Sequence, residues 1–167
     1  MPHDIQIGQM MEHHWDDVLR IYHTGLASGH ATFETHAPDW NTWNREHLVE
    51  CRLVAKADSH ITGWAALSRV SERRIYAGVA EVSIYVDPDY QGLGIGNKLM
   101  KALIEASEAK GIWTLQAYIF PRNERSLRLH HKNGFRIVGT REKIGKMDNS
   151  WHDVILVERR SRIVGTE

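Results

Sequence analysis

A chain of 167 residues in which 21 Lys and Arg face 21 Asp and Glu carries no formal net charge, which removes the electrostatic case for a nucleic-acid or anionic-membrane partner. The length suits one domain, residues 1–167, large enough for its own core and too short for two catalytic domains. A single cysteine, Cys51, excludes an internal disulfide, MPHDIQIGQM lacks the basic start and apolar run of an export signal, and no stretch has the length and apolarity of a membrane span; a reducing cytoplasm is the expected location.

In chain order, Ile5–Ile7 predicts a first strand. Trp15, Val18, Leu19 and Tyr22 then recur at helical spacing, on a helix expected to end at Gly25. Ser28–Thr35 is rich in small residues and closes in an extended ATFET. Pro38 and Asp39 introduce a short helix with Trp40, Trp43 and Leu48 on one side. Leu53–Ala55 and Ile61–Leu67 read as a hairpin, and Cys51, in CRLVA, as a packed residue of a core strand. Ser71–Arg74 is a polar loop leading into a strand over Glu81–Val86, which Asp87, Pro88 and Asp89 stop. A helix with Leu99, Met100, Leu103 and Ile104 on one face follows and ends near Lys110 and Gly111. Trp113–Phe120 is expected as a strand ended by Pro121, and Asn123 as the N-cap of a helix through Lys132 that Asn133 and Gly134 terminate. Phe135–Val138 and Trp151–Val157 predict two closing strands around a loop with Lys146, Met147, Asp148 and Asn149. The basic ERRSR begins a solvated tail over about residues 158–167. The sum is an α/β domain with a mixed, mostly antiparallel sheet.

The junction between the Glu81–Val86 strand and its helix carries the strongest functional signal. In QGLGIG the glycines are Gly92, Gly94 and Gly96, at a helix N-terminus where unpaired N–H groups and the helix dipole favour a diphosphate. Their alternation matches neither GxxxxGK[ST] nor GxGxxG, which speaks against a triphosphatase loop and a dinucleotide fold. A tight turn that binds nothing is the competing reading of the glycines alone.

The string resembles the acyl-CoA signature (Q/R)xxGxG/A of the GNAT N-acetyltransferase superfamily, with Gln91, Gly94 and Gly96 on the pattern. ATFET, EVSIYV and NERSLRLHHKNGF lie in the order and spacing of its phosphinothricin and methionine sulfoximine acetyltransferase-like branch. The resemblance implies a single-domain acyl-CoA N-acyltransferase fold, acetyl-CoA as cosubstrate, a small amino-acid substrate and a homodimer. It implies that Ile84, Tyr85 and Val86 offer backbone groups to the pantetheine arm, that Gly92, Leu93, Gly94, Ile95, Gly96 and Asn97 hold the pyrophosphate beside Gln91, and that Asn123 contacts the arm. Many superfamily members have arginine at the position of Gln91, so some phosphate affinity must come from elsewhere.

Acetyl transfer to an amine needs a group to take the amine's proton and one to protonate the leaving thiolate. Glu81 is the expected general base, with Glu34 holding or polarising the amine; solvated carboxylates are the bland alternative. His130 stands where many superfamily members have a tyrosine acid, and the branch itself carries histidine there; a purely structural histidine competes. Phe33, Val82 and Ser83 flank the two carboxylates, and Arg73 and Arg74, with Lys146, are the candidate cations for an anionic acceptor. The eleven histidines show no HxxxH spacing and there is no CxxC, so no metal is expected. Acetylation of a protein or peptide N-terminus or a polyamine, and a non-catalytic acyl-CoA-binding module, remain open.

Overall fold

A computed structural model describes residues 4–167. In chain order the elements are β1 (Ile5–Gln9), α1 (Trp15–Ala27), α2 (Trp40–Glu46), β2 (Leu53–Ala57), β3 (His60–Arg69), β4 (Val79–Val86), α3 (Ile95–Ala109), β5 (Thr114–Ile119), α4 (Glu124–Lys132), β6 (Arg136–Met147) and β7 (Ser150–Arg160). Seven strands form one sheet in the order β1-β2-β3-β4-β5-β7-β6. Among the described residues only β4 and β5 pair in parallel.

The unbroken burial of residues 61–67 shows that β3 is covered on both faces. Ala65 and Leu67 meet the apolar stripe of α3, where Ile95, Leu99, Met100 and Leu103 are buried with Ala55 and Val82. Trp64 and Ala66 point the other way, onto Val18, Ile21 and Tyr22 of α1 and Trp43 of α2. Burying each large aliphatic side chain contributes about 1.5–3 kcal/mol, so α3 and α1 clamp the middle of the sheet and fix where β4 emerges.

Several boundaries differ from expectation for identifiable reasons. Gly25 does not end α1: a Cβ there would lie 2.6 Å from the Tyr85 ring, so this glycine permits close packing. Gly29, at φ 67, supplies the left-handed residue after the Ser28 cap. The ATFET segment is a loop without strand pairing. Leu48 lies beyond α2, its N–H donating to Leu67 O at 2.8 Å. Cys51 precedes β2 in a bend at φ 64, buried, and burial pushes its thiol pKa up.

The largest difference is at the C-terminus. The expected loop around Lys146–Asn149 is mostly strand, because β6 and β7 run outward to a two-residue turn with Asp148 at φ 49 and Asn149 at φ 60. Nor does a tail begin at residue 158. Glu158, Arg159 and Arg160 pair with β5, and the Arg160 guanidinium donates to the carbonyls of Ser161, Val164 and Gly165, folding the last residues back.

Candidate active site

The parallel pairing of β4 with β5 covers only Val79↔Thr114, Ala80↔Leu115 and Glu81↔Gln116. Beyond it, β4 stays with β3 to Val86↔Gly63, while β5 stays with β7 to Ile119↔Ile155. The two strands diverge, and the facing backbone edges of Val82–Val86 and Ala117–Ile119 open onto a cleft of about 1190 Å³. That volume exceeds the ~300–1,000 Å³ of most small-molecule pockets and suits a long ligand together with a second, smaller one.

One end of the cleft is the glycine turn. Gly92 and Gly94 adopt φ +80 and +78, and a Cβ on either would meet nothing within 4 Å, so both are required by backbone conformation and leave open space above the peptide. Gly94 caps the fifteen-residue α3, whose first turn holds no acidic side chain. The N–H groups of this turn have no intrahelical acceptors. Gly96 lets α4 approach, with Leu129 Cδ2 3.3 Å from its would-be Cβ, and Asn133 Nδ2 donates to Asn97 Oδ1 at 3.0 Å. Through these contacts α4 brings Arg125, Arg128 and Lys132 to the cleft wall, supplying the positive charge that Gln91 does not.

Asn123 caps α4 by accepting from Ser126 N–H at 3.2 Å, and its Nδ2 donates to His30 O at 3.2 Å. With Arg122 donating to Gly29 O at 2.6 Å, it ties the 28–37 loop across the cleft. That loop carries Phe33, edge-on to Phe120 at 4.8 Å and pressed on Gly145 of β6, where a Cβ would come within 2.7 Å of the ring. Glu34 beside it is exposed and lines the cleft.

Glu81 sits at the apex of the split. Along β4 it shares a face with Ser83 and Tyr85, all three lining the cleft, while Val82, Ile84 and Val86 point to the α3 side. Burial raises the carboxyl pKa of Glu81 above its ordinary value, and a hydrogen bond from the Gln116 side chain partly opposes this. A carboxyl so placed holds a proton more readily than a solvated one.

His130 is 2% exposed and also lines the cleft. Its Nδ1 lies 2.7 Å from Ser126 O; a carbonyl only accepts, so Nδ1 carries the hydrogen and Nε2 presents a lone pair. Nε2 has no partner among the described residues. Burial lowers the imidazole pKa and the bond to Ser126 O works against it, so the ring is neutral near pH 7.

Not every expected residue reaches this place. Arg73 and Arg74 precede β4 at the closed end of the β4–β5 pair, and Arg73 lies over the Tyr76 ring at 5.6 Å. Lys146 sits above Trp151 at 5.9 Å on the hairpin. None of these three lines the cleft, whereas Arg141 of β6, inside a segment expected as loop, does. Among the described residues no three His, Cys, Asp or Glu side chains converge as for a metal.

Known proteins resemble this chain in both fold and sequence. The chain is 30% identical over 141 residues to the L-methionine sulfoximine/L-methionine sulfone acetyltransferase of Salmonella typhimurium, covering 77% of this chain and 82% of the relative. It is 29% identical over 164 residues to the phosphinothricin N-acetyltransferase of Streptomyces coelicolor, covering 93% and 96%. A crystal structure of a phosphinothricin acetyltransferase from Sinorhizobium meliloti in complex with AcCoA superposes with a TM-score of 0.87 at 23% identity, covering 100% of this chain and 92% of that one. Because residues 10–135, which carry the divergent strand, the glycine turn and α4, match the Acetyltransferase (GNAT) family, this chain belongs to that family and is an acetyl-CoA-dependent N-acetyltransferase.

Proposed function

We propose that the cleft transfers the acetyl group of acetyl-CoA to the α-amine of a small amino acid or analogue of the phosphinothricin or methionine sulfoximine type. The observation that carries this reading is the half-buried Glu81 carboxylate at the apex of the β4–β5 split, in one cleft with the glycine turn. Open space over Gly92 and Gly94, the α4 cations and the released backbone edge of β4 fit an elongated thiol ester with a diphosphate. When bound, acetyl-CoA supplies an activated acetyl thioester.

The protein's part is to hold and deprotonate the acceptor. Residues Ser83–Val86 give an ordered backbone edge for the arm and for orienting a carbonyl. Glu81, with its raised pKa, takes the ammonium proton directly or through one water, and Glu34 at the facing loop holds the amine. His130 serves as proton donor only after Nε2 has gained a proton; in the neutral form it accepts a hydrogen bond there.

A homodimer belongs to the same reading, with the exposed Ile137, Val138 and Trp151 of the outer hairpin offering apolar surface; sedimentation tests it. Thiol release from acetyl-CoA against amino acids, amino-acid analogues, spermidine and short peptides tests the activity. Saturable release with amino-acid analogues supports it, and release confined to peptides or spermidine replaces it.

A further inference from the structure

We propose that Arg141 binds the acceptor's α-carboxylate and that the cleft selects amino acids with an uncharged side chain, an inference that rests on the amino-acid reading above. The charged side chains along the cleft divide into two groups. Arg125, Arg128 and Lys132 stand on α4, which is joined to the glycine turn by the Asn133–Asn97 bond and the Leu129–Gly96 contact. Arg141 stands apart from them on β6, opposite Val154 of β7. Its neighbours in the cleft wall are Ile144 and Gly145, and Gly145 bears the Phe33 ring next to Glu34. One Arg141 Nη lies 3.5 Å from the hydroxyl of Tyr118, on the strand that diverges from β4 just past Glu81.

Several of the protein's arginines are already engaged. Arg20, Arg128, Arg136 and Arg159 have carboxylate partners, and Arg52 and Arg160 are taken up by backbone carbonyls. Among the described residues no carboxylate pairs with Arg141, and its contact with Tyr118 is long. A guanidinium with an open fork is suited to a planar carboxylate.

The acceptor half of the cleft therefore offers two carboxylates for an ammonium group and one cation for an anion. An α-amino acid with a neutral side chain meets that balance. Its side chain would face Phe33, Phe120, Ile144 and Val154, a wall able to take a methyl-bearing polar group such as a sulfone. A second anionic group, as in phosphinothricin, would find there no further cation among the described residues and would lie near Glu34.

The test compares wild type, Arg141→Gln and Arg141→Lys on L-methionine sulfone, on its decarboxylated amine 3-(methylsulfonyl)propan-1-amine, and on phosphinothricin. Charge-assisted hydrogen bonds of ordinary strength predict that Arg141→Gln lowers kcat/KM for methionine sulfone about 10- to 100-fold more than for the amine, chiefly through KM. Arg141→Lys should recover part of the loss. Wild type should prefer methionine sulfone to phosphinothricin by a factor of the same order. Equal losses on the sulfone and the amine, an unchanged KM, or equal use of phosphinothricin would overturn the inference while leaving the amino-acid reading in place. Wild type that binds acetyl-CoA but acetylates no amino acid would overturn both.

Discussion

Replacing Gly94 with alanine separates the two duties of the glycine turn. The residue caps α3 at φ 78 and ψ 11, the left-handed region, where an L side chain costs about 1–2 kcal/mol. No atom lies within 4 Å of the would-be Cβ, so the cost is conformational and packing adds nothing. At roughly 2–4 °C per kcal/mol for a chain of this size, Tm should fall by about 2–8 °C. The same methyl projects into the space where the diphosphate is expected, so affinity for CoA should fall as well. CoA at a hundred times its Kd stabilises the wild type by about 2.7 kcal/mol; a hundredfold weaker variant at the same concentration keeps only about 0.4 kcal/mol. Gly111→Ala is the control, because Gly111 has φ +77 and equally open space but ends α3 outside the cleft. Thermal unfolding with and without CoA, with Kd from calorimetry, should show similar Tm losses for both variants and a weakened Kd for Gly94→Ala alone. Equal CoA affinity in the two would refute the pyrophosphate role, and an unchanged Tm in both would refute the backbone argument.

Glu81→Gln should lower kcat about a hundredfold or more while leaving acetyl-CoA affinity intact, since general-base assistance is typically worth 10²–10⁴. Because the folded-state pKa of Glu81 is raised by burial, its favourable term is full below the unfolded value and is lost as pH rises through the folded one. The glutamine variant should therefore gain stability over wild type near pH 7 and lose that gain below about pH 4, read by denaturant midpoints. His47 and His130 run the opposite way: burial lowers both, each with Nδ1 on a backbone carbonyl, Trp43 O at 2.8 Å and Ser126 O at 2.7 Å. Their contribution is full above about pH 6.5 and falls as pH drops through the lowered values, so stability should decline from pH 7.5 to 5, less steeply in His130→Asn; a flat profile would contradict their burial as neutral rings. Arg20→Ala strips the guanidinium 2.6 Å from the buried Asp87 carboxylate, which also accepts Asp89 N–H ahead of the glycine turn. A loss of about 1–3 kcal/mol is expected, reduced because Arg20 is half exposed, and Asp87→Asn should cost less in that background than alone.

The parts of the fold legible in the sequence are those whose ends carry their own chemistry. α3 and α4 fall where Gly94, Gly111, Asn123 and Gly134 say they should, because a left-handed glycine or a capping asparagine satisfies terminal backbone groups locally. Gly25 misled for the converse reason: its lack of a side chain serves the Tyr85 ring, a contact between distant segments. The long β6–β7 hairpin was concealed by TREKIGKM, whose charges and glycine read as loop, although Asp148 and Asn149 were a turn signal. Arg141 lies within that string. Glu81, Glu34, His130 and the glycine turn could be named because the resemblance covers short contiguous strings. Arg73 and Arg74 adjoin β4 in sequence, yet the cleft opens only beyond Glu81, so the direction of the strand sends the preceding loop to the closed end.

The central claim is that the Glu81 cleft acetylates a free α-amine. Its most direct test is thiol release from acetyl-CoA with L-methionine sulfone and its relatives as acceptors, with mass spectrometry of the product and Glu81→Gln run in parallel. The account predicts saturable release, acetyl on the α-nitrogen, and loss of turnover in the variant with acetyl-CoA still bound. Tight acetyl-CoA binding with no release to any free amino acid, or undiminished turnover in Glu81→Gln, would contradict it.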